Sequence, residues 1–121
     1  MEEVTMENMA WRGVRLVSQP IREGQKEYVY TIGWHTPVGM FYLEEEVTDL
    51  SRKPVPSTSG SIIAYSKNVK PLIQHIEKLR GVKVKLTEDI SAQEAYDIAE
   101  GERILRKYPE WKSQPDKPVL T

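Results

Sequence analysis

The sequence predicts an α+β fold: a mostly antiparallel sheet of four or five strands with two helices packed on one face. Three observations lead there. Residues 27–34 (EYVYTIGW) and 40–47 (MFYLEEEV) alternate with period two on either side of a short Pro/Gly break, the pattern of an antiparallel hairpin. Residues 69–79 and 95–108 instead carry apolar side chains at helical spacing. The chain has 121 residues, 39% of them hydrophobic, which suits one domain with a real core.

Taken in order, residues 1–10 (MEEVTMENMA) alternate weakly, lack a cap signal, and read as a frayed end or a loosely held strand. Trp11 to Ser18 (WRGVRLVS) favours a short strand through Val14, Leu16 and Val17, closed by Gln19-Pro20. Arg22 to Gln25 reads as a polar turn. In the hairpin, Tyr28, Tyr30, Ile32 and Trp34 share one face, and Phe41, Leu43 and Val47 share the matching one, so these two rows form the expected core. Residues 49–60 (DLSRKPVPSTSG) read as a long loop, and 61–65 (SIIAY) as a short central strand.

Asn68 is a candidate N-cap, and Pro71 falls in the first turn, where its missing N–H costs little. Val69, Leu72, Ile73, Ile76 and Leu79 make one apolar stripe, and Gly81 ends the helix. Residues 82–86 (VKVKL) alternate strictly, with Lys83 and Lys85 on the solvent side. Strand, helix and strand over 61–86 fit a parallel crossover, with an antiparallel arrangement through another strand as the alternative. Ser91 and Glu94 have capping-box spacing for a second helix reaching about Lys107. Its stripe is Ala95, Ile98, Gly101, Leu105 and Tyr108, and a glycine inside a helix points to a close backbone contact. Residues 1–108 therefore form a single domain, followed by a Pro-rich tail, 109–121, that carries Trp111.

The composition excludes several chemistries. Without cysteine there is no disulfide, thiolate metal site or cysteine nucleophile. No apolar run approaches the roughly 20 residues of a membrane span. The Met-Glu-Glu start has no apolar stretch behind it, so a secretory signal is not expected and the chain reads as cytoplasmic. The two histidines, His35 and His75, stand in neither a His-x3-His nor a His-Glu-x-x-His pattern, so no metal is expected. The Ser/Thr-rich stretch Ser57 to Ser61 lacks the Gly-x4-Gly-Lys-Ser/Thr pattern of a phosphate-binding loop.

Net charge is −1, from 17 Lys and Arg against 18 Asp and Glu, which does not favour a dedicated nucleic-acid binder. The charges are patchy nonetheless. Basic residues dominate 66–86, and residues 87–102 hold only acids. Lys67, Lys70, Lys83 and Lys85 are the candidate nucleic-acid contacts. Glu44 and Glu46 share a strand face about 7 Å apart, which could serve acid–base work beside His35 or simply form a solvated surface.

The leading expectation is a small non-enzymatic cytoplasmic interaction module, without cofactor or metal, that binds and regulates a larger protein or associates with itself. Its candidate contacts are Val29, Met40 and Tyr42 on the far face of the hairpin, Arg52 and Lys53 on the Pro-bearing loop, and Trp111 in the tail. The alternatives are a nucleic-acid-associated protein using the four lysines and a small enzyme using His35 with Glu44 and Glu46.

Overall fold

Val4 and Met6, set between Glu3, Thr5 and Glu7, have the strict alternation of a half-buried strand, and in the computed structural model, which describes residues 1–121, they are 2% and 0% exposed. They belong to β1 (Glu3–Asn8). Then follow β2 (Arg15–Ser18), β3 (Ile21–Glu23), β4 (Lys26–His35), β5 (Met40–Asp49) and β6 (Ser57–Ser66). Helix α1 (Val69–Arg80), strand β7 (Lys83–Leu86), helix α2 (Ser91–Lys107), a 3-10 turn (Pro109–Trp111) and β8 (Val119–Leu120) complete the chain.

The strands form one sheet in the order β7-β1-β2-β4-β5-β6-β8, with β3 beside the N-terminal part of β4. The β1–β7 and β6–β8 pairs are parallel and all others antiparallel. The expected sheet of four or five mostly antiparallel strands is thus incorrect. Eight strands make a mixed, curled half-barrel, although the α+β class stands. The added strands are short, and two of them rest on partners far away in sequence. β1 is held by the distant β7, the three-residue β3 by a turn at Gly24, and the two-residue β8 by β6, while β6 itself extends back through the segment expected to be loop.

Tyr30 and Ile32 of β4 face Glu45 and Leu43 of β5, and Trp34 faces Phe41, so the predicted hairpin rows meet as expected. This row lines the hollow of the curl, where α1 packs Val69, Leu72 and Ile76. Leu79 lies off the buried stripe at 39% exposure. β6 and β7 run in the same direction on either side of α1, but four other strands separate them, so they do not pair. A half-barrel lets one helix bridge its two rims and bury Val69, Leu72 and Ile76 at once. Helix α2 packs on the same, core-facing side of the sheet as α1. Its Ile98 packs against the core, and the Trp34 ring fills the space a side chain would need at Gly101.

The caps differ from the sequence reading. Asn68 holds the N-cap position of α1, yet its side chain makes no capping bond. The Val69 N–H instead donates to Glu94 Oε2 of α2 at 2.8 Å. Ser91 is turned toward Asp89, whose Oδ1 accepts from both the Ser91 N–H and its hydroxyl. Gly81 ends α1 in the left-handed conformation at φ 64°, as its sequence position predicts. The tail returns to the sheet. The Ser113 N–H donates to the Pro37 carbonyl at 2.8 Å, the Tyr65 N–H to the Pro118 carbonyl at 2.9 Å, and Leu120 packs against the core. No helix is long and apolar enough to cross a membrane.

Candidate functional site

Because side chains alternate along a strand, every residue pointing into the hollow has neighbours on the convex face. There Arg15 and Val17 of β2, Val29, Thr31 and Gly33 of β4, and Met40 and Tyr42 of β5 lie opposite the side that α1 covers. Tyr42 lays its ring over Gly33, in space a Cβ there would occupy. Burial pushes the Tyr42 hydroxyl above the usual phenol pKa, Glu44 adds to the rise, and Arg15 opposes it. Alongside, Thr5, Glu7, Met9, Arg15 and Val17 line a shallow groove of about 330 Å³.

The turn between β1 and β2 stands at the end of this groove, braced from two sides. Asn8 Nδ2 donates to the Gly13 carbonyl at 3.0 Å, and Asn8 Oδ1 accepts from the Arg15 N–H at 2.8 Å. The Met9 N–H donates to the Arg15 carbonyl at 2.9 Å. From α2, Asp97 Oδ2 accepts from the Val14 N–H at 2.7 Å. Gly13 takes the left-handed conformation at φ +72°, and the Asp97 carboxylate fills the place of its missing side chain. On this fixed turn Trp11 is 91% exposed and Met9 58%. The sequence reading placed Trp11 at the head of a strand, yet the strand begins at Arg15. The available signal was Gly13, which marks a turn at that point.

The structure distributes the other candidates unevenly. Val29, Met40 and Tyr42 share the convex face and are half-buried. Arg52 and Lys53 are exposed on the loop beyond Asp49, about 30 Å along β5 from Met40. Trp111 lies near the opposite end, close to the β4–β5 turn, stacked on Tyr108 with ring centroids 4.4 Å apart. These residues therefore do not form one surface.

The four lysines do not converge either. Val84 and Leu86 pack toward the core, so Lys83 and Lys85 point to the convex side, while Lys67 and Lys70 stand at the start of α1. His35 and Glu44 also share the convex face, but Met40, the partner of His35, is four residues from Glu44, a separation of about 13 Å. Direct proton transfer needs hydrogen-bond distance.

Inside the hollow the Tyr30 hydroxyl donates to Glu45 Oε2 at 2.7 Å, and burial together with that carboxylate holds its pKa well above the phenol value. Arg80 lies over the Tyr28 ring at 3.9 Å and pairs with Glu23 at 2.6 Å. Arg80 Nε, beneath the C-terminal end of α1, is buried without a hydrogen-bond partner. The chain matches no known protein-family model, no curated protein and no solved structure.

Proposed function

We propose that this chain is a small, non-enzymatic, cytoplasmic protein-interaction module that offers Trp11, on its braced turn, to a larger partner protein. The observation that carries this reading is the 91% exposure of Trp11 on a turn whose backbone is fixed by Asn8 and Asp97. An indole in water is unfavourable, and tryptophan is enriched among residues that dominate binding energy. A turn already held in place loses little conformational freedom on binding, so more of the indole's burial is expressed as affinity. The convex face beside it adds Val17, Val29 and Tyr42 as a flatter apolar margin with Arg15 and Glu7 at its rim. A chain without cysteine also suits a reducing compartment.

The test uses the full chain and its Trp11→Ala variant. Trp11 touches little of its own protein, so the melting temperature should be unchanged, while affinity for the partner captured by the parent should fall by about 2 kcal/mol or more. Equal capture of that partner by both proteins would overturn the reading. So would a large fall in melting temperature, which would make Trp11 a structural residue.

A further inference from the structure

The two rims of the sheet are finished differently. At one, β7 is four residues long and carries Lys83 and Lys85. Its Val84 N–H donates to Glu77 Oε2 of α1 at 2.9 Å, so a backbone donor is already satisfied there. Shortness, lysines and a side-chain cap are all devices that stop an edge from recruiting another strand. At the other rim, β6 is ten residues long, and β8 pairs only with Tyr65 and Ser66. From Ser57 to Ile63 the outer side of β6 has no strand beside it, and Ser57 to Ser61 are exposed. This stretch contains no charged residue and no proline.

The strand behind this edge bears the charge. On β5, Glu44 and Glu46 project on the convex face, paired in register with Ile62 and Gly60. Neither takes part in an ion pair; the two in the molecule are Arg80–Glu23 and Arg103–Glu100. Gly60 has no side chain, so nothing stands between Glu46 and the space outside β6. A strand added there would lie two strand spacings from β5, about 9.5 Å, a gap that a lysine or arginine reaching toward a glutamate can close. Because both carboxylates lie on one face, the matching cations belong at alternate positions.

We propose that the open edge of β6, Ser57 to Ile63, takes up an extended segment of a partner protein as an added strand, and that this segment carries Lys or Arg at alternate positions facing Glu44 and Glu46. Main-chain hydrogen bonds would supply affinity and the paired charges would fix register and partner choice. A second copy of the chain suits the edge less well, because pairing β6 with β6 would bring a second acidic row toward the first. The inference rests on the reading of the chain as an interaction module but uses a surface separate from Trp11.

The probe is a short, end-blocked, dye-labelled peptide alternating lysine with valine, titrated into the full chain by fluorescence anisotropy. Companion peptides replace lysine by glutamate or methylate the backbone nitrogens along one edge. The lysine peptide should bind and shift the backbone amide resonances of Ser57 to Ile63, and both companions should fail. The double variant Glu44→Lys, Glu46→Lys should weaken binding about tenfold, as expected for losing two rim ion pairs and gaining repulsion. Trp11→Ala should leave peptide binding unchanged. Equal binding of the methylated peptide, shifts confined to other residues, or no binding would each overturn the inference. A concentration-dependent dimer with shifts on Ser57 to Ile63 would also overturn it, in favour of a second copy. If the peptide fails while Trp11→Ala still loses the natural partner, the edge proposal falls alone.

Discussion

Asp97 shows how one side chain can set both a turn and a pH response. Its carboxylate leaves α2 to accept the Val14 N–H and pack against Gly13, so it holds the turn that displays Trp11. Burial raises its pKa above the ordinary value of 3.8, and the Val14 bond opposes the rise. The folded chain then binds this proton more tightly than the unfolded chain does. Its contribution to stability is therefore greatest below the ordinary carboxyl pKa and declines as pH rises through the window up to the raised value. Asp97→Asn keeps an acceptor and removes the ionisation. Urea midpoints measured for both proteins from about pH 3 to about pH 7 should show the parent losing stability relative to the variant across that window. A flat difference would remove Asp97 as the cause. Two apolar residues on one helix offer a second check at this scale. Ile76 is fully buried and Leu79 is 39% exposed, so Ile76→Ala should cost about 2–5 kcal/mol by denaturant titration, and Leu79→Ala much less.

At the scale of elements, what was readable depended on how local the controlling interactions are. The β4–β5 hairpin and α1 were legible because each carries its own period over ten or more residues and its own stop signal, Pro37 with Gly39 in one case and Gly81 in the other. β3 and β8 were not, because each is too short to show a period, and β1, though it alternates, is completed only by β7, far away in sequence. The same limit hid the cap of α1. Asn68 has the right chemistry and position, yet the bond to Val69 comes from Glu94, 25 residues on. Glu94→Ala should therefore cost about 1 kcal/mol, as for other lost caps, and Asn68→Ala less. Thermal melts of the two variants would show whether the order is reversed. The tail makes a similar point. Trp111, its most conspicuous residue, is half exposed and stacks only on Tyr108, whereas the unremarkable Pro118 and Leu120 meet Tyr65 and the core. Removing residues 113–121 should lower the melting temperature far more than Trp111→Ala does. The opposite order would show that the Tyr108–Trp111 stack, and not β8, holds the tail.

At the scale of the whole molecule, the curl of the sheet governs both stability and the surfaces left for binding. Wrapping around α1 spends one face of every strand on the core and turns the other outward, where the convex face, the Trp11 turn and the β6 edge lie. The parts of the candidate site set by alternation were readable, including the shared outer face of Val29 and Tyr42. Trp11 and the open edge were not, since one depends on Asp97 bracing from α2 and the other on where β8 stops. The same wrapping joins the molecule into one unit. The buried cluster of 15 residues draws on β1 through β6 and α1, and takes in Val82 before β7 and Ile90 before α2. Ile98 of α2 and Leu120 of β8 pack against that same cluster, so no element has a core of its own. Unfolding should then be a single transition. With Trp11 and Trp111 changed to Phe, the fluorescence of Trp34 reports the junction of α2 with β4, and far-ultraviolet circular dichroism reports the sheet and helices as a whole. The two urea curves should coincide in midpoint and steepness. A Trp34 transition at clearly lower urea would mean that α2 detaches first, and that the brace behind Trp11 is lost before the rest of the fold.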